Sequence, residues 1–273
     1  QDVSLLHRNM YRNVGLAFDS TLGSNRFLKV PKRNPEVSAG YWLTLGSILY
    51  RDEDNRDHSM EFGFTLFGEW TVSGQAQSLS PNSMVSDSDP FFNGGFKRAH
   101  VQTYTYTERG YSYELNYRVS DRLGTDQLVL QPNGHWVRER KTRHVKSFLI
   151  GLRIFTMDDF LDYEAFSTVP DFRRGSLKIR TSNDMLGFQL GGDIFWQHER
   201  FDYGFRSKLG PYVNYASQNS QLVVVEGDTT ERNVRVEQDR LAFVGDIGVY
   251  GRYYLCPNIS LSVAYESMWI NTL

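Results

Sequence analysis

Glu61, Glu69, Glu114, Asp193, Asp246 and Glu266, together with Arg118, Arg153, Arg206, Lys208 and Arg252, are the side chains of this sequence best placed to act in concert. Each falls inside a run where apolar and polar residues alternate, and each takes the polar parity. On an extended strand successive side chains point to opposite faces, so residues of one parity gather on one side of a sheet. Acids and bases are nearly matched in this set. That balance predicts a network of ion pairs rather than a ring of one sign that selects ions. Two roles follow: a structural plug that satisfies buried charges, or a narrow polar conduit.

Catalytic chemistry finds less support. The sequence holds no Gly-x-Ser-x-Gly elbow, no phosphate-binding glycine loop and no His-Glu-x-x-His. His7, His58, His100, His135, His144 and His198 are scattered, mostly at strand ends or in loops. His58 beside Asp57 is the neighbour pair from which a rim-located hydrolase or acyltransferase could be assembled. Asp52-Glu53-Asp54-Asn55 and Asp87-Ser88-Asp89 offer oxygens to calcium, but neither has the glycine and distal glutamate of an EF-hand loop. Solvated turns explain them more simply. The basic run from Arg138 to His144 reads as a solvated strand end, with contact to anionic headgroups as the sharper alternative. No catalytic residue, metal site or cofactor is expected.

The whole-chain arithmetic narrows the class. Among 273 residues, 30 Lys and Arg stand against 32 Asp and Glu, a net charge of -2. Nucleic-acid binding needs a clear basic excess and is not expected. One cysteine, Cys256, excludes an intramolecular disulfide framework and any Cys-rich zinc site. Mean hydropathy is -0.47, and no apolar run approaches the ~20 residues of a membrane-spanning helix. Aromatics reach 14%, with 23 Gly against 8 Pro, a composition that suits an all-β chain rich in tight turns. Gln1-Asp2-Val3-Ser4 lacks the basic start and apolar core of a signal peptide, so the expectation is a removed presequence or a fragment.

The elements that must position the charges are long strands. Tyr111–Val119 carries Tyr, Tyr, Leu, Tyr and Val on odd positions against Ser112, Glu114, Asn116 and Arg118. Ile259–Trp269, Leu186–Gln197, Phe201–Asn214, Leu241–Tyr253, Met60–Thr71 and Ser147–Ile154 repeat the pattern, and Tyr41–Arg51 is a less regular case. Soluble strands cluster near ~5–6 residues, whereas a strand tilted across a bilayer needs ~9–11. Short links at Arg51–His58, Gln131–Gly134, Glu199-Arg200 and Cys256-Pro257 alternate with long polar stretches at Ser73–Arg109, Asp158–Ser182 and Ser217–Asp239. Outer-membrane barrels show this asymmetry, with short periplasmic turns and long external loops.

The expected fold is therefore all-β: an antiparallel up-and-down transmembrane β-barrel of about 8–10 strands. Residues 39–273 form the barrel, and residues 1–38 an N-terminal segment with a possible first strand over Val14–Phe18 and a loop across Ser20–Ser38. A closing strand after Leu273 is expected to be missing. If the apolar parity faces lipid, the charges named first all face the lumen. Trp42, Trp70, Trp196 and Trp269, with Tyr50, Tyr203, Tyr215 and Tyr253, lie near strand ends and are candidates for aromatic girdles.

Several segments resemble the beta-barrel porin-7 family of planctomycete bacteria. They are Asn183–Asp193 (NDMLGFQLGGD), Leu209–Asn214 (LGPYVN), Ala242–Gly248 (AFVGDIG), Ala264–Ile270 (AYESMWI) and Gly40-Tyr41-Trp42-Leu43, so the similarity runs from about residue 39 to the end. The resemblance implies an outer-membrane location and a porin-like barrel. It implies no enzymatic activity, substrate or catalytic residue. Partners on this reading are the outer-membrane lipid bilayer and small polar solutes, with a role in passive diffusion or as a structural envelope barrel. The alternatives are a soluble lipocalin-like barrel, whose apolar parity would line a ligand pocket, and an outer-membrane enzyme. Oligomeric state is not legible in a single sequence.

Overall fold

Extended segments with one apolar and one polar side leave their backbone N–H and C=O groups to be satisfied edge to edge. In the computed structural model the chain forms β1 (Asp2–Leu6), β2 (Val14–Asp19), β3 (Phe27–Val30), β4 (Ser38–Arg51), β5 (Arg56–Gln77), β6 (Met84–Ser86) and β7 (Val101–Asp121). It continues with β8 (Gln127–Leu130), β9 (Trp136–Glu139), β10 (Arg143–Ser167), β11 (Arg173–Gln197), β12 (Phe201–Glu226), β13 (Asp228–Cys256) and β14 (Ile259–Thr272). No helix occurs among the described residues. The structure describes these strands, the turns at 52–55, 198 and 200, and residues 96, 99–100, 132 and 134; side chains are described from residue 40 onward except 78–95, 97–98, 122–131, 133, 135–143, 168–173, 199, 226–227, 256–260, 262 and 272–273.

One nine-stranded sheet, in the order β1-β4-β5-β7-β10-β11-β12-β13-β14, makes the wall. Every pairing is antiparallel, and from β4 onward the long strands follow one another up and down. The skipped strands form two small sheets, β3-β2-β6 and β8-β9. Among the described residues β1 and β14 do not pair with each other, so the wall is an open barrel. It is strongly curled: the Arg206 guanidinium of β12 lies 4.2 Å from the Trp42 ring centroid of β4. Curling needs close backbone approach. A Cβ at Gly210 would run into the Phe188 carbonyl oxygen, and next to it Pro211 has no N–H to give, so the β11–β12 ladder skips from Gly187↔Tyr212 to Leu190↔Leu209.

Two expectations change. Val14–Phe18 does not join the wall; it lies in β2, which pairs with β3 and β6. The strand beside β4 is Asp2–Leu6, with Asp2 opposite Trp42. Two of the three long polar stretches are also mostly strand, and the third, Ser73–Arg109, is strand at Ser73–Gln77 and Val101–Arg109. Asp158–Ser167 and Arg173–Ser182 continue β10 and β11, which are 25 residues each, and Ser217–Glu226 and Asp228–Asp239 continue β12 and β13, of 26 and 29 residues.

Along these strands the two faces exchange character. On the outer, convex side Leu43, Phe64, Tyr113, Ile154, Leu186, Val213 and Leu241 lie side by side on seven neighbouring strands. Phe62, Leu115, Leu152 and Phe188 form another such row, and Leu152 is 55% exposed. One alternation further on comes Tyr41, Leu66, Tyr111, Thr156, Asp184, Tyr215 and Asp239; the next row is Arg109, Asp158, Ser182, Ser217 and Glu237. The concave side does the reverse. Opposite the apolar belt it carries Glu114, Arg153, Asp193 and Arg206; opposite the polar outer rows it carries Tyr104, Tyr163, Leu177 and Leu222. A face is apolar where it meets an apolar medium or another apolar surface, and polar where it meets water. The exchange therefore divides the wall into a lower part built inside out and an upper part built like an ordinary soluble sheet.

Candidate functional site

The lower interior is organised by residues that alternation places on the concave side of β5, β7 and β10–β14. Glu114 is its hub. Lys208 donates to its Oε2 at 2.6 Å, and the side-chain amides of Asn116 and Gln189 donate to the same oxygen at 3.1 Å. Arg153 lies 3.5 Å away on the other side. It also donates to Ser112 at 2.8 Å and pairs with Asp246 across two intervening strands. Gln189 closes the hub by donating to Asn116 Oδ1 at 2.7 Å. A second group lies below: Arg118 pairs with Asp193 across the one strand between them and lies 2.8 Å from Glu61, with its Nε–H aimed elsewhere. Ser147 donates to Asp193 as well. A third links Arg206 to Glu266 and to the face of Trp42.

Most of these contacts join strands that are not neighbours in the sheet, so they tie the curled wall together across its interior. Arg153 and Glu114 are buried, which requires each charge to be matched, since an unmatched charge in low dielectric costs several kcal/mol.

Above the ionic layers the interior turns apolar twice. Phe155, Met185, Tyr212, Ala242 and Val244 form one buried cluster, with Phe67 packed edge-on against Phe155 at 5.5 Å. Higher up, Tyr104, Tyr163 and Ala165 enclose Phe96 and Ala99. Phe96 stacks on Tyr163 at 5.2 Å, and its carbonyl accepts from Gln102, which in turn accepts from the Tyr163 hydroxyl at 2.7 Å. Phe96 belongs to none of the wall strands, so it fills the interior as an inserted residue.

The structure places Glu61, Glu114, Arg118, Arg153, Asp193, Arg206, Lys208, Asp246, Arg252 and Glu266 on the concave face. Arg252 sits opposite Asp202 at the lower mouth, where it is exposed. Glu69 is not among them. A register shift between Phe67 and Trp70 swaps the faces of β5, leaving Glu69 exposed on the outer side beside Thr71 and Thr107. The same shift puts Trp70 opposite the buried Glu108. Trp42 lies under Arg206, so neither it nor Trp70 serves an outer girdle. Trp196, stacked on Tyr203 at 5.2 Å, and Trp269, 43% exposed over Gly245, do face outward. Tyr50, Tyr215 and Tyr253 are exposed there too. Missed by singling out charges alone were the amides of Asn116 and Gln189 and the Ser112 hydroxyl; all three carry the same parity signal.

His58 does not work with Asp57. Its ring nitrogens contact Tyr117 Oη at 2.6 Å and Asp52 Oδ2 at 3.1 Å, it stacks on Tyr50, and Asp57 pairs with Arg51. Asp52 and Asp54 are both taken by Arg56, and among the described residues no three His, Cys, Asp or Glu converge as a metal site. The side chains of Asp87-Ser88-Asp89, of Arg138–Arg143, and of His7 and His135 lie outside the described residues.

The 52–55 turn makes a pH prediction. The Arg56 backbone N–H, then the His58 ring and the Arg56 guanidinium, hold the Asp52 carboxyl at about 2, below its ordinary 3.8. A group depressed on folding stabilises the folded turn above its unfolded pKa and loses that contribution as pH falls through the folded value. The Arg56 amide resonance should therefore titrate with a midpoint near 2, and Asp52→Asn should abolish the step; a midpoint at 3.8 would contradict the assignment.

Compared with known proteins, the chain matches no family model and no curated sequence.

Proposed function

We propose that this chain is a membrane-spanning β-barrel wall of the outer-membrane kind, porin-like in architecture, whose interior is packed shut and whose role is structural. The observation that carries the reading is the exchange of faces. On β10 the apolar outward positions run from Phe148 to Ile154, which with one flanking residue at either end matches the ~9–11 residues of a strand crossing a bilayer. Aromatic side chains border the belt: Trp196 and Tyr203 below, Tyr41, Tyr111 and Tyr215 above. Apolar side chains in continuous rows over seven strands, exposed from Tyr113 to Leu241 and half-exposed at Leu43 and Phe64, far exceed the scattered apolar surface of a soluble monomer. A lipocalin-like barrel needs those side chains inside, where this wall carries Glu114 and Arg153.

The interior supports the structural role over free diffusion. A barrel of about eight strands is narrow enough for side chains to fill. Here matched ion pairs fill its lower part, and the Phe155 and Phe96 clusters interrupt any polar path above. The bilayer reading also requires the edges of β1 and β14 to be paired, because hydrocarbon satisfies no open sheet edge. The resemblance to the beta-barrel porin-7 family points the same way. Reconstitution tests the proposal: the protein should insert into vesicles and show no steady conductance in planar bilayers. Regular single-channel steps would overturn the closed interior, and recovery as a monomer in detergent-free buffer would overturn the membrane reading itself.

A further inference from the structure

A pocket of about 190 Å³ opens on the outer face immediately beyond the upper aromatic row, lined by Arg109, Asp158, Phe160, Arg180, Arg235 and neighbouring hydroxyl and amide side chains. Its position follows from register. Arg109, Asp158, Ser182 and Ser217 stand side by side one alternation past Tyr111 and Tyr215, and Phe160, Arg180, Asn219 and Arg235 stand one alternation further. Two guanidinium groups converge on one ring: Arg109 is 5.0 Å and Arg180 5.9 Å from the Phe160 centroid. Cation–π contact draws each of them there, while their mutual repulsion is only partly relieved.

The pocket's own lining holds three arginines against one acid, Asp158; Asp184 and Asp239 stand one row nearer the belt. Asp158 accepts from Arg109 Nε at 3.2 Å, which leaves both terminal nitrogens of that fork available, and Ser182 also donates to Asp158 at 2.7 Å. Arg235 pairs through one terminal nitrogen with Glu237. Among the described residues Arg180 makes no ion pair. Arg109 and Arg235 are more than half exposed, and Arg180 is exposed as well. The result is a cationic pocket with surplus N–H donors and serine and asparagine side chains around it. Guanidinium forks suit phosphate oxygens, which accept two parallel bonds at once.

Below the pocket comes the row of Tyr111, Thr156, Asp184 and Tyr215, in which Thr156 donates to Asp184 at 2.7 Å, and below that row lie Ile154, Leu186 and Val213, all exposed, at the top of the apolar belt. We infer that this pocket binds the phosphate of a membrane lipid headgroup, with the lipid's acyl chains lying along the Ile154–Leu186–Val213 strip. The inference rests on the membrane reading and adds a specific lipid contact to it. The arginine pocket and the apolar strip lie on the same strands with one tyrosine-flanked row between them, and that vertical order is what selects a lipid over a free anion, because only an amphiphile uses both.

The test uses the full chain folded in detergent micelles. Dioleoyl phosphatidic acid and dioleoylglycerol share their acyl chains and differ in the phosphate. Native mass spectrometry should show the first retained about tenfold better than the second. The triple variant Arg109→Gln, Arg180→Gln, Arg235→Gln should lose that preference while keeping its folded gel mobility, since all three side chains sit on the surface. Arg180→Lys should keep only part of it, because an ammonium cannot offer the fork. Equal retention of the two lipids by the unaltered protein, or an undiminished preference in the triple variant, overturns the inference. So does displacement of the phosphatidic acid by millimolar inorganic phosphate, which would mark a free-anion site. Failure to enter micelles at all would instead remove the membrane reading, an outcome distinguishable from absent lipid selectivity.

Discussion

Arg153→Met should lower the folding stability of the vesicle-reconstituted protein by about 3–5 kcal/mol, among the largest effects of any single substitution in the wall. Arg153 is only 4% exposed. Its guanidinium serves Ser112, Glu114 and Asp246 at once and lies 5.4 Å from the Phe155 ring centroid. Methionine keeps much of the volume but leaves the half-buried Asp246 without its cation and Glu114 with Lys208 as its one paired cation. The double variant Arg153→Met, Asp246→Asn should recover part of the loss, because it removes the stranded charge together with its partner. Equilibrium unfolding in urea, followed by tryptophan fluorescence, measures both. A single-variant loss below about 1 kcal/mol would mean that the interior charges are hydrated rather than mutually matched.

Leu152→Arg should cost about 2–4 kcal/mol in the same assay, since it sets a charge in the middle of the outer apolar belt. The neighbours in its row, Leu115 and Phe188, are also exposed and offer no acid to answer it. Ser176→Arg, on the same outer face but beyond the belt and opposite Glu164, should cost less than about 1 kcal/mol. If the outer face met water throughout, the two substitutions would differ little, because an exposed arginine is tolerated at either place. Their ratio thus reports on the medium against the wall and not on strand propensity.

Much of the wall could be read from alternation, and its failures have physical causes. Tyr111–Val119 shows both faces directly because one side is uniformly apolar and the other uniformly polar. At Ile154–Phe155 the apolar residues move from even to odd positions as the outer face passes from the belt to polar surroundings and the interior passes from ionic to apolar. In a sequence that slip resembles a broken strand, so Asp158–Ser182 read as a loop although β10 and β11 continue through it. The register shift between Phe67 and Trp70 has the same effect on a smaller scale: an irregular strand leaves no compositional mark, so alternation puts Glu69 and Trp70 on the wrong faces. The insertion of Phe96 depends on where a connecting segment folds back, which local periodicity does not encode. The pocket around Phe160 escaped for a related reason: Arg109, Arg180 and Arg235 are far apart in the chain, and only register brings them together.

The central claim is that one wall changes environment along its own strands, and spin labels on the outward positions of β10 test it most directly. With Cys256 replaced by serine, single cysteines at Phe148, Ile150, Leu152, Ile154, Asp158, Asp162 and Glu164 would be labelled in vesicles. Their collision rates with oxygen, which concentrates in lipid, and with a water-soluble nickel complex would then be compared. The account predicts oxygen dominance from 148 to 154 and nickel dominance from 158 to 164, crossing near Thr156. Nickel dominance at every position would contradict it.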